Sequence, residues 1–124
     1  MAKTKNKILI VEDEAPQLMA LKHKFSQDFK VLTAHDGLDG LNIALAEHPD
    51  IILLDIIMPR MDGLTMLAKL REDSWGQEAK VIILTNLSNV PRESTLSQDK
   101  TLDYLVKTDW TLEQVVQKVK RSLK

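Results

Sequence analysis

Short runs of branched apolar residues punctuate the chain, and each stops at a polar or charged residue. Ile51-Ile52-Leu53-Leu54, ending at Asp55, is the clearest. So short and continuous a run predicts a strand buried on both faces, since a half-buried strand alternates apolar with polar positions. Residues 7–11, 81–84 and 102–106 repeat the form and end at Glu12-Asp13-Glu14, Thr85 and Lys107. Residues 29–34 are less apolar and predict an edge strand.

Between these runs the apolar spacing turns helical. Ala15, Leu18, Met19, Leu21, Lys22 and Phe25 carry a stripe to about Asp28, with Pro16 in a first turn that tolerates proline. Leu38, Leu41, Ala44 and Leu45 mark one face of a helix over 37–47, ending before His48-Pro49. Leu64, Leu67, Ala68 and Arg71 mark a third, which gives out around Ser74-Trp75-Gly76. In residues 86–101, Pro91 opens a segment of indifferent helix formers, Ser94, Thr95, Ser97, Asp99 and Thr101. They predict a short, loosely held fourth helix. Thr111-Leu112-Glu113-Gln114 fits a capping box, and Leu112, Val115, Val116, Val119 and Leu123 form the stripe of a last helix. Strands alternating with helices imply an α/β fold, a parallel sheet covered on both faces with right-handed crossovers. The flavodoxin-like doubly wound (βα)5 sandwich, a five-stranded parallel sheet in order 2-1-3-4-5, is the expected architecture.

Composition narrows the class without changing this picture. The 124 residues predict one module from end to end, 44% apolar and 28% charged, with a net charge of −1 that leaves no nucleic-acid or membrane footprint. No apolar run approaches the ~18 residues that span a bilayer, and residues 8–11 are too short for a signal peptide's apolar region. The absence of cysteine removes disulfide frameworks and thiolate metal sites, and fits a cytoplasmic location. His23, His35 and His48 share no metal-ligand spacing; His23 reads as a helix-surface residue and His48 as a helix end.

The polar residues that stop the strands carry the candidate chemistry. In order 2-1-3-4-5 the first and third strands are neighbours, so Glu12 and Asp13 converge on Asp55. Three close carboxylates repel, and burial worsens the conflict. Mg²⁺ resolves it, because this hard cation takes few carboxylates, keeps several waters and accepts a phosphate oxygen. Lys107 adds a compact positive charge and Thr85 a hydroxyl, which together suit a phosphoryl group on Asp55. Singly, each residue is ordinary: an aspartate after a strand caps or turns, a lysine is solvated, and Tyr104 packs. Their gathering at one end of successive strands makes the pattern specific. A glycine-rich phosphate loop is missing, and Glu12-Asp13-Glu14 beside a helix N-terminus would repel a nucleotide phosphate.

Val11-Glu12-Asp13-Glu14, Asp55-x-x-Met58-Pro59-x-Met61-Asp62-Gly63, Thr85 and Tyr104-Leu105-Val106-Lys107, with their spacing, resemble the CheY-like response-regulator receiver domains of two-component signalling. The resemblance covers essentially the whole chain and implies one receiver domain over residues 1–124, stand-alone or excised. It implies that Asp55 accepts a phosphoryl group from a sensor histidine kinase or histidine phosphotransfer protein. Asp13 and Asp55 would bind Mg²⁺ directly, Glu12 through water, and Ile57 through its backbone carbonyl. Lys107 would pair with the phosphoryl oxygens. Thr85 would swing toward them, letting Tyr104 move inward and reshape the surface of the fourth helix, fifth strand and fifth helix for a downstream protein. Such a domain is not an enzyme with an external substrate. It contacts neither nucleic acid nor membrane directly, and acts as a monomer or phosphorylation-dependent dimer.

The chain departs from the family pattern in four places. Thr108 follows Lys107 where a cis-linked proline is usual; a cis bond to threonine would cost about 3–4 kcal/mol, so trans is expected. The segment 107–111 is one residue longer than usual before the last helix. Asn86 replaces a small residue, and its bulk, with Ile57 and Leu87 nearby, is expected to hinder attacking water and lengthen the phosphorylated lifetime. Lys100-Thr101 replaces a glycine near the end of the fourth helix, suggesting a mobile output face. Two rival readings stay open: a pseudo-receiver that works without phosphate, and a phosphatase of the haloacid-dehalogenase type. The latter would want a second aspartate two residues after Asp55, where Ile57 stands, and room for a substrate cap.

Overall fold

The structure, a computed structural model, describes residues 5–56, 58, 60–85 and 102–123. Strands β1 (Lys7–Val11), β2 (Lys30–Ala34), β3 (Ile51–Leu54), β4 (Val81–Thr85) and β5 (Leu102–Val106) form one sheet, order β2-β1-β3-β4-β5, and every neighbouring pair is parallel. This is the expected order, with β2 at an edge. Helices α1 (Ala15–Phe25), α2 (Gly37–Glu47) and α3 (Gly63–Glu72) and a final helix (Leu112–Ser122) cover it. Among the described residues no helix is long and apolar enough to cross a membrane.

The continuous apolar runs exist because the sheet has two buried faces. Leu9, Val11, Ile52, Leu54, Val81 and Ile83 meet α2 and α3, while their neighbours Ile8, Ile10, Ile51, Leu53, Ile82 and Leu84 meet α1 and the final helix. Alternate side chains of each strand thus feed separate cores, and every position between is apolar too. Burying one such side chain contributes about 1.5–3 kcal/mol, so the strands are the most firmly held part of the chain.

The helices differ from expectation in which residues they bury. Met19, Leu38, Leu45 and Leu112 are exposed large apolar residues, and Ala68 is exposed as well. On α2 the buried face is Gly37, Gly40, Leu41 and Ala44. A Cβ on Gly40 would come within 2.9 Å of Val11 Cγ2 and 3.1 Å of Met66 Sδ. Small residues let α2 lie close to β1, and that approach turns Leu38 and Leu45 outward. α3 likewise buries Gly63, Met66, Leu67 and Leu70.

Helix ends follow their local chemistry. Asp36 and Asp62 cap α2 and α3 by accepting the amides of Asp39 and Thr65, each at 2.8 Å. The capping box of the final helix is present: Thr111 Oγ1 accepts from the Gln114 amide at 3.1 Å, and Gln114 Oε1 accepts from the Thr111 amide at 2.8 Å. His48 ends α2 in the left-handed region, φ 48°, and its ring stacks on Trp75 with centroids 4.3 Å apart. Trp110 packs against the core under α1 and the final helix. Peptide bonds of the described residues are all trans, as expected after Lys107. The predicted fourth helix, Asn86, Leu87, Lys100-Thr101 and the Ile57 carbonyl lie outside the described residues.

Candidate functional site

Parallel strands bring their carboxyl ends to one edge of the sheet, and there the polar stops assemble. β1 ends at Glu12, whose amide donates to the Ala34 carbonyl at 3.0 Å; β3 ends at Asp55, whose amide donates to the Val11 carbonyl at 3.0 Å. Ladder bonds running one residue past the strands thus fix both acids side by side. Glu12, Asp13 and Asp55 each bring a carboxylate oxygen within 4.8 Å of the others. Glu12 and Asp55 are buried, whereas Asp13 is exposed at the mouth. Thr85, at the end of β4, is fully buried beside its β5 partner Val106.

Lys107 crosses from the end of β5 into this acidic cluster. Its Nζ donates to Glu12 Oε2 at 2.6 Å and lies 3.4 Å from Asp55 Oδ2, with only 14% of the side chain exposed. The backbone at Lys107 is one turn of 3-10 helix, Lys107–Asp109. Burial pushes the Glu12 carboxyl above the usual range, and the negative charge of Asp55 adds to that; the hydrogen bond from Lys107 pulls the other way. Three carboxylates, Glu12, Asp13 and Asp55, thus gather around the one ammonium of Lys107 among the described residues. Glu12, Asp13, Asp55, Thr85 and Lys107 share one end of the sheet, as expected. Tyr104 is half-buried in β5, paired in register with Ile83, and packs against the α2–α3 core.

Two features had no signal in the sequence. Gln17, in the first turns of α1, accepts from Lys107 Nζ at 2.6 Å through Oε1. Only its position just after the acidic stop of β1 hints at this role. The other is Asp36, buried at the α2 N-cap, which accepts from Arg60 Nε at 2.9 Å and from Nη2, while Met61 O accepts from the Gly37 amide at 2.9 Å. Arg60 adopts φ 64°, the left-handed region that favours glycine. Together these contacts fasten the loop after Asp55 to the loop after β2.

The Asp36 pairing has a pH consequence. Its carboxyl is held below the usual aspartate range, first by the Asp39 amide and then by the Arg60 guanidinium. A carboxyl more acidic when folded adds stability above its unfolded pKa, and this is lost as pH falls through the folded value. Asp36→Asn keeps a capping residue but removes the charge. It is expected to lower the thermal midpoint by a few degrees at neutral pH, and the gap to wild type should begin to narrow at about pH 4 and close as the pH falls below the folded value. Melting curves across the acid range check this; a gap independent of pH contradicts it.

The donor set is hard oxygen, close-spaced and negative, with a cation to one side. It fits a hard divalent metal. Known proteins resemble the chain in fold and sequence. A probable transcriptional regulator ycf27 of Guillardia theta is 39% identical over 84% of this chain and 40% of its own length. The chain thus spans about two fifths of the length of that relative. The chemotaxis response regulator CheY4 of Vibrio cholerae superposes with TM-score 0.84 at 25% identity, covering 97% of this chain and 100% of the other. The response regulator TrrA of Thermotoga maritima, solved in complex with Mg²⁺-BeF, gives TM-score 0.82 at 28% identity over 95% of this chain and 99% of the other. Residues 8–120 match the response regulator receiver domain model, and the chain belongs to that family, the receiver modules of two-component signalling.

Proposed function

We propose that the chain is a single receiver domain switched by phosphorylation of Asp55. The observation that carries this is the meeting of Glu12, Asp13 and Asp55 within 4.8 Å, with Lys107 Nζ 3.4 Å from Asp55 Oδ2. The donor is a phosphohistidine on a sensor histidine kinase or phosphotransfer protein. An Asp55 oxygen attacks phosphorus, the P–N bond breaks, and the imidazole leaves and takes up a proton. Lys107 holds its ammonium beside the incoming phosphoryl oxygens. Asp13 and Asp55 would hold Mg²⁺ directly, Glu12 through water and Ile57 by its carbonyl, and the ion would supply charge neutralisation on the transferring group. The Mg²⁺-BeF complex of TrrA supports this metal for the present chain.

The output follows from the same groups. Thr85, buried at the strand end, turns its hydroxyl to the phosphoryl group, and Tyr104 moves inward to fill the space. The surface around β5 and the final helix then changes for a downstream protein partner. Phosphate drives this only through contacts it makes better in one state than in the other. A cytoplasmic location, where the kinase donor works, belongs to the same proposal. The test is intact mass after incubation with acetyl phosphate. One phosphoryl group gained only with Mg²⁺ present is expected. No gain under conditions that label other receivers favours a phosphate-independent interaction module.

A further inference from the structure

Beside the acidic cluster, four hydrogen bonds close into a ring. The Glu14 amide donates to Glu12 Oε1 at 3.2 Å, and Gln17 Nε2 donates to Glu14 Oε2 at 3.3 Å. Lys107 Nζ donates to Gln17 Oε1 and to Glu12 Oε2, each at 2.6 Å, which completes the circuit. The Gln17 amide has one orientation here, because an ammonium only donates and a carboxylate only accepts. Its oxygen faces Lys107 and its nitrogen faces Glu14.

Lysine is a compact charge on a flexible stem, and the backbone gives it little guidance. The turn at Lys107–Asp109 is closed by a long bond, the Trp110 amide to the Lys107 carbonyl at 3.4 Å. Gln17, from a different element, supplies a short neutral acceptor in its place. Of the three ammonium protons, Glu12 and Gln17 engage two at 2.6 Å, and the third makes only a long bond to Asp55 Oδ2 at 3.4 Å. Without Gln17, the ammonium would be drawn in along its long bond to Asp55. A close ion pair there would compete with a metal for the carboxylate and hold down the attacking oxygen.

We propose that Gln17 is a positioning residue, whose Oε1 holds the Lys107 ammonium back from a close ion pair with Asp55, the carboxylate that takes metal and phosphorus. The inference rests on Asp55 as phosphoacceptor, but its first test does not need phosphate. Calorimetric titration with Mg²⁺ alone should find Gln17→Met, an isosteric change that removes the acceptor, about tenfold weaker than wild type, the worth of one charge-assisted hydrogen bond. In a Lys107→Ala background, Gln17→Met should change Mg²⁺ affinity by less than about twofold, because the effect passes through Lys107. A general structural role would weaken binding in both backgrounds and would overturn the proposal, as would unchanged affinity in the single variant. Should Gln17→Met not fold, Gln17→Ala carries the same comparison. Phosphoryl uptake from acetyl phosphate should fall in parallel, again only where Lys107 is present. A wild-type chain inert to acetyl phosphate overturns the phosphoacceptor reading, and the Mg²⁺ cycle still decides the role of Gln17.

Discussion

Lys107→Ala is expected to separate metal binding from phosphoryl transfer, slowing uptake from acetyl phosphate by about 10²–10³-fold while tightening Mg²⁺ binding. The two effects have opposite signs because the ammonium serves transfer but competes with the cation. Its Nζ already occupies Glu12 Oε2 at 2.6 Å and stands 3.4 Å from Asp55 Oδ2. Removing it takes a competing cation away from both carboxylates, and removes the positive charge that would meet the phosphoryl oxygens. The Glu12 carboxyl, already raised by burial, loses the hydrogen bond that offsets that rise and becomes less acidic still. Calorimetric Mg²⁺ titration beside mass-resolved uptake kinetics checks both signs. Weaker Mg²⁺ binding, or uptake at the wild-type rate, contradicts this account of Lys107.

Gly63→Ala is expected to cost about 1–3 kcal/mol of stability and to impair phosphorylation in the protein that remains folded. The reason is space, not backbone freedom, since no described glycine has positive φ. Gly63 opens α3, and its amide donates to the Ile56 carbonyl at 2.8 Å. A Cβ there would fall on the Asp55 carbonyl, 2.8 Å from Ile56 Cα and 3.0 Å from the Asp55 carbonyl carbon. All three atoms are backbone of the segment that presents the nucleophile, so relief must come from moving Asp55 itself. Gly40→Ala is the comparison: it also crowds its neighbours, but the atoms it meets are side chains of Val11 and Met66, not the backbone that carries Asp55. It should cost stability without slowing uptake in the folded protein. Urea unfolding and uptake rates for the pair test the contrast. Equal uptake rates in the two folded variants would show that the tight approach at Gly63 does not position Asp55.

The strands were legible because parallel pairing buries both faces and so writes unbroken apolar runs with charged stops. Ile51-Ile52-Leu53-Leu54 ending at Asp55 is the plainest case, and the sheet order is the flavodoxin-like one expected of a doubly wound sheet with its site at a switch point. Helix faces were less legible, because periodicity counts large apolar residues while close packing selects small ones. Leu38 and Leu45 thus lie outside, and Gly40 with Ala44 lies against the sheet. The acidic cluster and Lys107 were visible as residue types at strand ends. Gln17 and the Asp36–Arg60 pair were not, since a glutamine in a first turn and an arginine between Pro59 and Met61 carry no pattern. Their partners exist only once the chain is folded.

The claim that phosphorus is carried by Asp55 is tested most directly by locating it. Protein treated with acetyl phosphate and Mg²⁺, then reduced with borohydride, converts an aspartyl phosphate to homoserine, which peptide mass spectrometry can place. The account predicts homoserine at position 55, dependent on Mg²⁺ and absent from Asp55→Asn. Label that persists in Asp55→Asn, or that maps to Asp13 or Glu12 in the wild type, would contradict it.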